Sequence, residues 1–203
     1  MRSRSIRRSL RILTVPETEA PPIPRADAAR NRRRLLDVAL AELTAAEGPV
    51  ALEAIARKAS VGIGTLYRHF PSREALVEAV YRDELERLCG DADDLLAELP
   101  PDAALRAWMG RYADFVATKR GMAEALRAVI ASGAVTSSQT REQLGVAIGA
   151  MLDAGAAAGL LRADVPVEDV VASLAGILLA ATSRGQVDRL LDLLADGLRA
   201  PPP

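Results

Sequence analysis

Across residues 36–198 the apolar positions of this chain return every third and fourth residue, and almost never every second. A period near 3.6 lines one face of an α-helix, whereas a half-buried strand needs strict alternation. Leu36, Ala39, Leu40 and Leu43 share such a face, as do Leu76, Val77, Val80, Tyr81, Leu85 and Leu88. The spacing recurs in Leu105, Trp108, Met109, Tyr112, Phe115 and Val116, then in Met122, Leu126, Val129 and Ile130, and again in Leu144, Ile148, Met151 and Leu152. Aromatics are only 3% of the 203 residues while half are hydrophobic, so Ala and Leu dominate and runs of β-branched residues are scarce. That mixture favours helix over strand. There is no hairpin signal and no repeat of fixed period, and the expected fold class is all-α.

Proline and glycine divide the pattern. Pro16, Pro21, Pro22 and Pro24 mark a linker-like stretch, so residues 1–25 are expected to form a flexible basic extension. Gly48-Pro49 stops the first helix. A short helix over 52–59 follows, then a break at 60–63, then a second short helix over 64–70. Pro71 ends it, and Ser72 caps the next. The acidic stretch 90–101 ends in Pro100-Pro101 and suggests a soft boundary, dividing the chain into units 26–88 and 89–203. Gly155 and Gly159 close a later helix. Asp164 and Pro166 open another through Ala181, Gly185 marks its turn, and residues 190–198 form the last.

Charge is unevenly placed. Residues 1–34 hold ten arginines against Glu17, Glu19 and Asp27, although the whole chain has a formal charge of −1. So basic an arm suits a polyanion. Cys89 and His69 are the only residues of their kinds, which excludes an intrachain disulfide and the usual zinc sites. Cys89 reads as a packing residue, and no cofactor is expected. No apolar run reaches the 18 or so residues of a membrane span. Residues 170–181 come nearest, but Ser173 and Gly176 interrupt them. The start lacks a signal peptide's apolar stretch and cleavage site, so the expected address is the cytoplasm.

Two short helices joined by a tight break fit a helix-turn-helix. Its physical demands can be matched to residues. Ala56 is small where the second helix crosses the first, and Ile55, Val61 and Leu66 have the spacing to pin the pair. Gly62, Gly64 and Thr65 allow close backbone approach to a major groove, while Tyr67, Arg68 and His69 offer polar atoms to phosphates and base edges. Phe70 reads as core. Gly62-x-Gly64 is no nucleotide loop, since no strand precedes it and no third glycine follows.

The run Gly64-Thr65-Leu66-Tyr67-Arg68-His69-Phe70, followed by Ser72-Arg73-Glu74-Ala75-Leu76, resembles the DNA-binding domain of the tetracycline-repressor (TetR/AcrR) family. The resemblance covers residues 30–82; beyond them it rests on length and helical pattern. It implies an N-terminal three-helix DNA-binding domain with a helix-turn-helix, and a C-terminal helical ligand-binding and dimerisation domain. The implied partners are a double-stranded operator, a second copy of the chain and a small-molecule effector, with no membrane. Thr65, Tyr67, His69 and Arg73 fall where the family touches phosphate. Gly62 and Arg68 fall where groove contacts vary, and Arg32 and Arg33 match the basic start of the first helix, with Arg30 and Arg34 beside them. Two departures stand out. Ala51 occupies a position where the family commonly has a Thr or Ser cap, and Ser60 occupies a turn position where Gly is usual.

In the C-terminal region the stripe of Trp108, Met109, Tyr112 and Phe115 is the densest aromatic cluster. Trp108, Tyr112, Phe115, Leu126 and Met151 are the candidates for a ligand cavity, since an effector site must be apolar and adaptable. Ala172, Ala175 and Gly176 suit close helix approach at a dimer interface. The functional expectation is a ligand-responsive repressor. A helical adaptor is the alternative, and an enzyme the remoter one, because no nucleophile–base pair or carboxylate cluster is present. With two flaws in the motif, DNA affinity should lean on the basic arm. Deleting residues 1–24 should flatten the dependence of log affinity on log salt; an unchanged slope refutes this.

Overall fold

The computed structural model describes residues 24–46, 48 and 50–201, so nearly all of the expected basic extension lies outside the described residues. Nine helices run through them: α1 (Pro24–Ala45), α2 (Leu52–Lys58), α3 (Ile63–His69), α4 (Arg73–Glu98), α5 (Pro101–Gly121), α6 (Ala123–Ala131), α7 (Ser137–Ala157), α8 (Val167–Ala180) and α9 (Arg184–Leu198). Among the described residues there is no strand, only an isolated antiparallel bridge between Leu161 and Arg199.

Polar caps set several helix starts. The Ser72 hydroxyl accepts from the Ala75 N–H at 3.1 Å, Thr136 from Gln139 at 3.3 Å and Ser183 from Gln186 at 3.3 Å. Each satisfies a backbone donor that the first turn leaves open, worth about 1 kcal/mol. The break before α9 is therefore at Ser183. Gly185 does not mark the turn but sits inside the first turn of α9, because the Ser183 cap has already started the helix. Gly90 likewise lies within α4, which runs unbroken from Arg73 to Glu98. One glycine costs a helix about 1 kcal/mol, which the buried Leu88, Ala92 and Leu95 around it offset. The chain bends only at Leu99-Pro100, and Pro101 stands in the first turn of α5, where its missing N–H costs nothing.

One hydrophobic core is continuous through the fold. Leu35 and Leu36 of α1, Ile55 and Ala56 of α2, Leu66 of α3 and Leu76, Val77 and Val80 of α4 fill its N-terminal end. Past Leu85 the same helix packs against α5, where Trp108 and Met109 are fully buried. The Trp108 indole N–H donates to the Leu88 carbonyl at 2.7 Å, so the largest side chain of the core leaves no unpaired donor. α7 closes the other side of α5 with Ile148 and Met151. Ile130 departs from its stripe, being 49% exposed, because α6 buries only the Leu126 and Val129 side of the helix.

The end of α7 depends on two glycines. Gly159 has φ +68°, the left-handed conformation that ends a helix at little cost to glycine alone. Gly155, still inside α7, accepts the N–H groups of Leu160 and Leu161 at 2.9 and 3.1 Å. A Cβ there would come within 2.8 Å of the Leu161 Cβ, and Leu161 is held in the bridge to Arg199. Gly149 of the same helix leaves ordinary room, 3.6 Å from Val167. Gly155→Ala should therefore destabilise by about 1–3 kcal/mol, while Gly149→Ala should be neutral or stabilise by up to about 1 kcal/mol. Denaturant midpoints of equal size for the two variants would contradict this packing.

Candidate nucleic-acid interface and effector cavity

α2, the turn and α3 are built as the sequence predicts. Ile55 and Ala56 are buried on α2 and Leu66 on α3, with Val61 half-buried between them. Val61 donates to the Ala56 carbonyl at 2.9 Å and Ser60 to Arg57 at 3.1 Å, which closes α2. Ser60 makes this turn with φ +54°, the only non-glycine residue at positive φ among the described residues. At the other end of α2, Ala51 is extended and offers no side-chain cap. Both anticipated departures thus have a structural counterpart: an uncapped helix and a backbone conformation that costs an L-residue on the order of 1–2 kcal/mol.

The outward face of α3 carries Gly64, Tyr67 and Arg68. Gly62 is its N-cap, and no atom lies within 4 Å of a Cβ built at Gly64, so the backbone can come close to a partner there. Tyr67 is 45% exposed. Thr65 and His69 are half-buried at the two edges, and Phe70 is in the core. Ile63, 39% exposed, extends this face toward the N-terminus of α3. The sequence pattern puts it in the break over 60–63, whereas it is the first residue of α3; its i, i+4 spacing from Tyr67 was the available signal.

The arginines divide by what they already hold. Arg73 donates to the Val50 carbonyl and so ties the segment before α2 to the start of α4. Arg33 pairs with Asp83 at 3.2 Å and Asp37 at 3.3 Å, joining α1 to α4. Arg30 pairs with Asp27, while Arg34 donates to the uncharged Asn31 amide oxygen at 2.5 Å. The Arg32 guanidinium lies 5.2 Å from the Phe70 ring centroid and shares a groove with His69.

In the C-terminal half an apolar cavity of about 370 Å³ opens between α5, α6 and α8. Tyr112, Phe115 and Leu126 line it, whereas Trp108 and Met151 do not. Trp108 lies behind the wall, stacked on Tyr112 at 5.8 Å and 9°, and Met151 is fully buried. Helical spacing could not separate wall from core, since both share the inner face. Burial pushes the Tyr112 phenol above its ordinary pKa. A larger hollow of about 550 Å³ lies between α4 and α7, lined by Arg82, Glu86, Gln139 and Glu142. Its charged walls would have to shed water before an apolar body could enter. On α8, Ala172, Ala175 and Gly176 are exposed, with Leu179 83% exposed, and Ala175 and Leu179 stand at the rim of the cavity; Leu193 on α9 is 68% exposed.

A helix-turn-helix turned outward, mounted on a helical body with its own cavity, defines a DNA-binding transcriptional regulator. Residues 35–80 match the family described as bacterial regulatory proteins of the tetR type, and residues 100–200 match the C-terminal domain of SbtR-like transcriptional regulators. The structure is similar to a TetR transcriptional regulator from Streptomyces coelicolor, with 49% identity over 84% of this chain and 99% of that one and a TM-score of 0.74. A TetR regulator from Mycobacterium vanbaalenii is 35% identical over 87% and 99% of the two chains, with a TM-score of 0.70. The HTH-type transcriptional repressor KstR of Mycolicibacterium smegmatis is 40% identical over 72 residues, and the match spans 34% of that repressor's length. The chain belongs to the TetR family, whose members are regulators that bind DNA operators and act as dimers. Among the described residues no helix is long and apolar enough to cross a membrane.

The two local flaws can be repaired. Ala51→Ser should raise stability by about 1 kcal/mol by capping α2, and Ser60→Gly by up to about 1 kcal/mol by releasing the turn. Chemical denaturation checks both; unchanged midpoints would show that neither position limits the domain.

Proposed function

We propose that this chain is a ligand-responsive repressor that binds a pseudo-palindromic operator as a homodimer in the cytoplasm. The observation that carries this reading is the outward face of α3, where Tyr67 and Arg68 stand exposed beside Gly64 on a helix anchored by the fully buried Leu66. Arg68 has the forked donors that read a guanine edge, and Ile63 suits a thymine methyl. Tyr67, Thr65 and His69 reach toward phosphate, and Gly62 lets the backbone approach. Arg32 flanks the same edge. Arg33 and Arg73 take a smaller share, because their guanidiniums already serve the fold. Residues 26–88 form the DNA-binding unit and residues 89–203 the sensing and dimerising unit, while the extension over 1–25 adds basic charge.

Two copies would meet through α8 and α9, whose exposed Leu179 and Leu193 flank small residues that let helices come close. The effector would enter the cavity of Tyr112, Phe115 and Leu126, with Trp108 and Met151 supporting its wall. Such a ligand acts only by binding the operator-competent and incompetent dimers unequally. Repression, rather than activation, follows the sense of the Mycolicibacterium smegmatis relative.

A selection from genomic fragments should retain DNA with a two-fold pseudo-palindrome, as a two-fold dimer requires. The double variant Tyr67→Ala, Arg68→Ala should then lose on the order of a hundred-fold or more in operator affinity, while still sedimenting as a dimer. Full operator binding by that variant refutes the α3 assignment, and a monomeric wild type refutes the dimer.

A further inference from the structure

The cavity between α5, α6 and α8 is apolar over most of its wall, yet two cations, Lys119 and Arg120, stand on it and, among the described residues, no carboxylate does. This is unusual within α5 itself. Arg106 pairs with Asp192 at 2.6 Å and Arg111 with Asp91 at 2.8 Å, so the other two cations of the helix are matched. Arg120 is directed across the helix boundary, where it donates to the Leu178 carbonyl of α8. Lys119 is half-buried, with its ammonium 5.4 Å from the Tyr81 ring centroid. Burial alone pushes its pKa down, with no carboxylate holding it up.

A half-desolvated ammonium without a counter-charge is a standing cost that a bound anion removes. Cation–π attraction to Tyr81 offsets only part of that cost and satisfies none of the three ammonium donors. The rest of the wall, with Phe115, Leu126, Ile130 and Leu179, suits hydrocarbon, and the volume of about 370 Å³ is within the range of small-molecule sites. Head and body are thus separately provided for on one cavity.

We propose that this cavity takes a small amphipathic anion, an apolar body with a carboxylate head, seated with the head on Lys119 and Arg120 and the body against Phe115 and Leu126. The proposal rests on the reading of this cavity as the effector site, and it names the chemical class of the effector. Lys119 selects for charge, while the wall selects for length and shape. A neutral or cationic ligand with the same body leaves the ammonium unpaired or meets it with like charge, and so binds more weakly.

The test uses the full chain and three probes that differ only at the head: decanoate, 1-decanol and decyltrimethylammonium, each kept below its aggregation limit. Trp108, the single tryptophan, stacks on the cavity residue Tyr112 and provides a fluorescence signal, with calorimetry as a second readout. Decanoate should bind at least about ten-fold more tightly than decanol, the scale of one hydrogen bond to a charged group. Lys119→Met should sharply reduce that preference without weakening decanol, and Lys119→Arg should keep it. Equal binding of decanoate and decanol, or a preference left unchanged by Lys119→Met, overturns the anion assignment while leaving an apolar effector cavity standing. Binding by none of the three overturns both. Loss of operator binding on adding decanoate is scored separately, so failure of the repressor reading is not confused with failure of the ligand class.

Discussion

The 26-residue helix α4 is the member on which the rest of the structure depends. Its first turn is capped by Ser72, and through Arg73 it holds the Val50 carbonyl before α2. Its first turns bury Leu76, Val77 and Val80 under the helix-turn-helix, and its second half forms the seam on which Trp108 closes. Because one unbroken helix serves both units, neither core can be repacked alone. A rigid element whose two ends sit in different packing environments is also what a coupling between cavity and recognition helix would require.

Two further contacts bind the units. Tyr81 of α4 reaches across to Thr140 of α7 with a 2.8 Å hydrogen bond and packs its ring 5.7 Å from Phe115, a cavity residue. At the end of α5, Gly121 lies so near α1 that a Cβ would meet Thr44 at 3.0 Å. The first contact ties the cavity wall to α4, and the second sets the base of α6 against the DNA-binding unit. The first is directional and the second leaves no room for a side chain, which distinguishes them from the salt bridges on the surface, where exposed pairs contribute about 1 kcal/mol or less.

Much of the outward face of α3 was legible in sequence because its constraints are local. A seven-residue helix has one buried side, so the burial of Leu66 and Phe70 places Tyr67 and Arg68 outward. The strain at Ser60 and the bare start at Ala51 were visible as residue types at fixed offsets in the motif. What could not be read was how the arginines divide. Arg33 and Arg73 find partners on elements far along the chain, Asp83 and Val50, and no local pattern announces such pairing. Ile63 falls in the expected break over 60–63, and only the start of α3 one residue earlier, with its packing on α2, puts it on the outward face.

By itself the sequence determined the helical class, the helix-turn-helix and its polar face, since periodicity, caps and a short specific run act within a few residues of one another. Only the tertiary structure decided which aromatic residues form a cavity wall and which are core, putting Tyr112 and Phe115 on the wall and Trp108 behind it. Only the tertiary structure left Lys119 without a carboxylate partner among the described residues while matching Arg106 and Arg111. The physical reason is the same in both cases. A helix stripe specifies that a residue faces inward, but what it faces depends on how three or four helices, distant in sequence, meet around it.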